Sequence, residues 1–90
     1  MSAAKQYRVL QPMRFILNGG PGDETLPAGT TVDSLRVGDL GPEDARALTI
    51  QREWHKKRRL KGSLVPFMWR GKARQGVLGG DRADLKAVSR

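Results

Sequence analysis

The chain has no cysteine, one histidine and few aromatic residues, which make up 6% of its 90 positions. Without Cys there is no disulfide framework, no thiolate nucleophile and no sulfur-ligated zinc, so a stapled secreted scaffold is excluded. The lone histidine, His55, has only Glu53 as a carboxylate at close spacing, too few ligands for an ordinary transition-metal site. Hydrophobic residues reach 38%, which predicts a thin core. Long apolar runs are also missing near the N-terminus, where the longest is Phe15-Ile16-Leu17. That is far short of the ~7–15 residues of a signal-peptide core or the ~20 of a membrane span, so neither export nor a membrane partner is expected. A chain this short buries only about 60–65% of the surface it exposes when unfolded. One small domain is expected, without the enclosed cleft of a two-lobed enzyme.

Acidic residues are scarce in one half only. The first 45 residues hold four bases and six acids, the last 45 thirteen bases and three acids. Residues 52–74 contain nine bases against the single acid Glu53, and this segment alone equals the net charge of +8 of the whole chain. The asymmetry points to a mildly acidic structural half and a basic contact half, and hence to a polyanionic partner.

The pattern of apolar residues and turn formers predicts an order of elements. Residues 1–6 read as a flexible terminus. Tyr7-Arg8-Val9-Leu10 and Arg14-Phe15-Ile16-Leu17 read as short strands separated at Pro12. Residues 18–23 read as a hairpin loop, 24–26 as its return strand, 27–29 as a second turn and 30–35 as a further strand. Pro42, Glu43 and Asp44 mark a helix start. Ala47, Ile50 and Trp54 share one face of that helix, which is expected to pack on the strands. The apolar stripe ends at Trp54 while helical propensity continues to Lys61, with Gly62 as the stop. Residues 64–69 read as a closing strand, and residues 71–90 as a Gly-rich, basic C-terminal arm in which 81–88 form a weak helical turn capped by Asp81. The expected fold is α+β: residues 7–70 form one domain, a small twisted sheet or partly open SH3-like barrel with one packed helix and a basic helix end.

The candidate contact residues are Arg52, His55, Lys56, Lys57, Arg58, Arg59 and Lys61 on the helix end, with Trp69, Arg70, Lys72 and Arg74 beyond it. Each Lys or Arg that neutralises a phosphate releases counterions, which gives affinity without sequence dependence. The competing reading is a solvated helix end, but the run has almost no interleaved acid to relieve its self-repulsion. Tyr7, Trp54, Phe67 and Trp69 could each stack on a base, but core packing is the reading for Trp54, Phe67 and Tyr7, and only Trp69, beside Arg70, has a claim to the surface and is kept among the contact residues. Asn18 to Gly22 is glycine-rich like a phosphate loop, but Asp23 and Glu24 follow where a phosphate loop needs Lys and Ser or Thr. Glu43 and Asp44 are explained by the helix dipole, and Ser34 and Ser63 have no base within sequence reach. No catalytic constellation, cofactor site or metal site is therefore expected.

Tyr7-Arg8-Val9-Leu10, Phe15-Ile16-Leu17-Asn18-Gly19, Leu26-Pro27-Ala28-Gly29-Thr30-Thr31-Val32 and Gly41-Pro42-Glu43-Asp44-Ala45-Arg46-Ala47-Leu48 follow one another in an order that resembles small phage-encoded proteins of SH3-like barrel type. The resemblance covers the first half of the chain, and the basic segment from Arg52 onward departs from it. It implies an accessory role in a virion or on host machinery. Together these readings give the expectation of a non-catalytic nucleic-acid-binding accessory protein of a phage or mobile element, residing in the host cytoplasm or the virion. The alternative is an assembly module that docks its basic helix on an acidic surface of a capsid protein, polymerase or nuclease.

Overall fold

The computed structural model describes residues 5–17 and 20–88, with the backbone alone at residues 20, 21 and 23. Residues 1–4 of the expected flexible terminus, and Asn18 and Gly19 of the expected hairpin loop, lie outside the described residues. The order of elements is β1 (Gln6–Val9), β2 (Met13–Ile16), β3 (Gly20–Leu26), β4 (Thr31–Ser34), a 3-10 turn (Val37–Asp39), α1 (Pro42–Lys57), β5 (Ser63–Trp69), β6 (Lys72–Leu78) and β7 (Leu85–Ala87).

Strands β6, β5, β4, β1 and β7 neighbour one another in that order, and a further pairing of β7 with β6 closes the ring. The result is an α+β fold, a closed five-stranded barrel with one helix outside it. The barrel is mixed, because Leu78 of β6 and Leu85 of β7 pair in parallel while the other ring pairings are antiparallel. Hairpin β2–β3 is not a member of the ring; it joins β6 through the pairing of Ile16 with Arg74 and contributes Leu26 to the core. Side chains alternate across each strand, and the inward positions build the core. Tyr7, Val9, Leu26, Val32, Phe67 and Leu85 form the buried cluster, with Met13, Val65, Trp69 and Leu78 packed against it.

The C-terminal segment corrects the expectation of an arm. Residues 72–78 and 85–87 are strands of the barrel, and without β7 the ring would not close. The turn between β5 and β6 consists of Arg70 and Gly71 alone, both at positive φ (50° and 74°). Such a two-residue turn matches the twist of the strands it joins. Residues 81–88 form no helix either: 81 and 82 lie in a turn and 85–87 in β7. Asp84 donates its amide to the Val77 carbonyl, and its carboxylate accepts from the Val77 amide and from Gln11, so it supplies backbone-like pairing beside the end of β6.

The helix also differs from its expected packing. Leu48 is its one buried residue, while Ile50 is 48% and Trp54 55% exposed. At about 100° per residue, Leu48, Arg52 and His55 fall within roughly 60° of arc, and Ile50 and Trp54 fall on the far side. The face against the barrel is thus turned away from the Ala47, Ile50 and Trp54 stripe. Leu48 supplies about 1.5–3 kcal/mol of burial, and Arg52 Nε donates to the Leu64 carbonyl of β5 at 3.0 Å.

Candidate nucleic-acid interface

The helix ends earlier than its propensity suggests, and the way it ends arranges the cations. Arg59 takes the left-handed conformation, with φ at +54°, that glycine usually supplies after a helix. Its amide donates to the Lys56 carbonyl at 3.0 Å, and the Leu60 amide donates to the His55 carbonyl at 3.2 Å. This pair of bonds satisfies carbonyls that the last turn leaves open and folds residues 58–61 back across the helix terminus. Gly62 is therefore the entry into β5 and not the helix stop.

The fold-back builds an open groove of about 520 Å³ lined by His55, Arg58, Arg59, Leu60, Lys61, Val77, Asp81 and Arg82. Four of these are permanent cations and one is a carboxylate. Asp81 lies 3.8 Å from Lys61, a contact between two well-exposed groups that is worth little. Lys56 and Lys57 stand on the adjoining helical turn and are exposed. The partial negative charge of the helix C-terminus favours the cations of its last turn, Lys56 and Lys57. His55 faces the barrel side, and its Nε2 is buried with no hydrogen-bond partner among the described residues.

Arg82 is a member of the groove that the sequence reading missed. It lies outside the basic run and comes into place because Gly79 and Gly80 both adopt positive φ (82° and 87°), turning the chain back toward the helix end. The fit is close: a Cβ on Gly80 would sit 3.1 Å from the Lys61 Cβ. Two adjacent glycines followed by Arg82 were the available signal.

The expected residues from Trp69 onward do not join this group. Ser63 pairs with Leu78 at one end of the β5–β6 hairpin and Trp69 with Lys72 at the other. At ~3.3 Å per residue these ends are about 20 Å apart. The continuous basic segment of the sequence is thus two separate groups in space. Arg70, at the hairpin tip, is engaged internally: its Nη1 donates to Glu24 Oε2 at 2.6 Å, and its guanidinium lies over the Trp69 ring, 4.7 Å from the centroid. Lys72 is exposed at the same tip.

Arg74 and Trp69 are corrections. Arg74 points inward on β6 and is 2% exposed, so its guanidinium is not presented to a phosphate. Burial pushes its pKa down from the usual arginine value, and the Glu24 carboxylate opposes that shift. Its guanidinium lies 4.8 Å from the centroid of Trp69, while Nε and Nη1 have no hydrogen-bond partner among the described residues. Trp69 is half-buried against the core with Arg70 and Arg74 over its ring, which makes it a poor stacking platform. Of the two tryptophans it is Trp54 that the fold leaves open, with Arg58 over its ring at 4.7 Å. The two tryptophans exchange the roles that the sequence pattern gives them.

A second groove, of about 640 Å³ and lined in part by β2 and β6, carries one base, Arg14, and one acid, Asp84, among its lining residues. Its charge is balanced and the helix-end groove's is not. Among the described residues, no three His, Asp or Glu side chains are grouped to hold a metal, and no helix is long and apolar enough to cross a membrane.

The left-handed Arg59 yields a test that separates stability from contact. A non-glycine residue in this conformation costs about 1–2 kcal/mol, part of which glycine returns as extra freedom in the unfolded chain. Arg59→Gly is expected to stabilise the fold by about 0.5–1 kcal/mol by urea titration, while removing one groove cation. A loss of stability would contradict the assignment of Arg59 as the residue that ends the helix.

No protein-family model, curated protein or solved structure matches the chain.

Proposed function

We propose that this protein binds nucleic acid without catalysis and without sequence preference, through phosphates held at the helix-end groove. One observation carries the reading: Arg58, Arg59, Lys61 and Arg82 line a single groove in which Asp81 is the only carboxylate, with Lys56 and Lys57 beside it. Cations gathered at this density repel one another, and a polyanion relieves that repulsion while releasing its own counterions. Residues 52–61 contain no Asn or Gln for bidentate reading of adenine. The partial resemblance to phage-encoded barrels supplies the setting within this proposal, an accessory role in a virus or mobile element.

The test is fluorescence anisotropy with labelled DNA and RNA of several unrelated sequences across a salt series. Binding is expected to differ little between sequences and to weaken steeply with salt. Changing Lys56, Lys57, Arg58 and Arg59 together to alanine is expected to lower the slope of log K against log salt by about 3 to 4 on duplex and about 3 on single strands, from ~0.9 and ~0.7 per lost phosphate contact. Because all four side chains are exposed, stability should change by no more than about 0.5 kcal/mol apart from Arg58's contact with Trp54. Failure of every nucleic acid to bind at low salt, with retention of an acidic protein partner, would replace this reading by the assembly-module alternative.

A further inference from the structure

Trp54 is placed on α1 by the helix and not by the core. It is the larger of two apolar side chains, with Ile50, left on the outer face of α1, and neither belongs to the buried core. Ile50, Trp54 and Arg58 stand at i, i+4 and i+8 and so form one stripe along the helix surface. Arg58 ends that stripe and also lines the cationic groove, so the aromatic surface and the groove share a residue.

Resting on the phosphate-binding reading above, we infer that the preferred ligand is single-stranded nucleic acid, with a base stacked on Trp54 and the adjoining phosphates held by the groove. The chemistry discriminates between strand types. A duplex hides the faces of its bases between neighbouring pairs and offers an exposed indole little except at its ends, whereas an unpaired base has a free π-face. The cations then track the backbone while the ring takes the base, the division of labour by which single strands are held without sequence readout. The guanidinium of Arg58 over the indole reinforces this arrangement, since Trp and Arg planes both accept a stacked base. The exposed ring does not itself specify a nucleic acid over an apolar protein surface. The choice comes from charge, because four cations and one carboxylate line the groove that Arg58 joins to the ring.

The experiment compares an unstructured oligo-thymidine with a hairpin duplex of equal phosphate number, at one low salt concentration, for the full chain and for Trp54→Ala and Trp54→Phe. The single strand is expected to bind more tightly and to quench tryptophan fluorescence. Trp54→Ala should weaken single-strand binding by about 5- to 150-fold and duplex binding by less than about 2-fold, with Trp54→Phe retaining most of the affinity. Unfolding curves check that the variants remain folded, as expected for so exposed a residue. If both strand types bind equally and Trp54→Ala alters neither, the stacking inference falls while phosphate binding stands. If neither binds, both readings fall. If polyglutamate binds with the same dependence on Trp54, the ring serves an acidic polypeptide and the inference is overturned.

Discussion

Phe67→Ala is expected to destabilise the protein by about 3–5 kcal/mol, whereas Phe15→Ala should change stability by less than about 0.5 kcal/mol. These are the only two phenylalanines in the chain, and both lie in strands. Phe67 is 0% exposed at the centre of the buried cluster, between Ser34 of β4 and Arg74 of β6 in the register. Phe15 is 60% exposed on the hairpin outside the ring. Truncating Phe67 removes the apolar transfer of the ring and leaves a void that the closed barrel cannot easily collapse. A domain of this size has a total stability of roughly 4–14 kcal/mol, so the loss is a large share of it. At about 4–8 °C per kcal/mol, the melting temperature should fall by at least about 12 °C. Thermal unfolding of both variants gives the comparison, and similar costs at the two positions would mean that the core does not sit where the strand register places it.

Which parts of the fold were legible follows from what each segment had to bury. β1 and β4 alternate in the ordinary way, with Tyr7, Val9 and Val32 inward, and their strands were readable. The start of α1 was readable from Pro42 and the two acids after it. The packing face of α1 was not, because apolar spacing pointed to Ala47, Ile50 and Trp54, while the helix rests on Leu48 and on a hydrogen bond from Arg52. A helix that lies outside an already closed barrel has little apolar surface to cover, so its pattern is freed from packing and becomes available for contact. β6 was unreadable for the opposite reason: its inward positions are Arg74, Gly76 and Leu78, of which one is apolar. Gly76 is required by closeness, since a Cβ there would meet Leu85 and Met13 side chains at 3.0 Å. Arg74 is tolerated through the indole of Trp69 and the field of Glu24. A strand whose buried face is built from arginine and glycine carries the composition of a basic loop.

The cations of the helix end are plain in the sequence, but the extent of their group in space is not. Run length suggested one segment from residue 52 to residue 74, and the turn at Arg70 and Gly71 sends β6 back toward the helix end, leaving Arg70 and Lys72 at the far tip. Arg82, remote in sequence, takes a place in the groove that Arg74 does not. The same strand reversal that hides Arg74 brings Val77 and the residues after it beside Lys61.

The groove depends on Gly62, and Gly62→Ala is expected to cost far more than Gly29→Ala. Both glycines hold nearly the same backbone conformation, with φ at +86° and +88°. A side chain in that conformation costs about 1–2 kcal/mol at either site, so the comparison cancels it. Around Gly29 no atom lies within 4 Å of an added Cβ. At Gly62 the new carbon would collide with the Gly79 carbonyl oxygen and lie 2.9 Å from both the Leu78 oxygen and Val77 Cγ1. Two of those three neighbours are backbone atoms at the end of β6, where the strand leads into the Gly79 and Gly80 turn, and they cannot swing aside as a flexible side chain would. Relief requires moving the start of β5 away from the end of β6, which separates the helix end from Arg82. Gly29→Ala should therefore lose about 1–2 kcal/mol by urea titration, and Gly62→Ala at least about 2 kcal/mol more, in the range of overpacked cores. Where Gly62→Ala remains folded at low temperature, its affinity for a single strand should fall even though no cation has been removed. Equal costs at the two glycines would show that the entry to β5 does not abut the end of β6 as described.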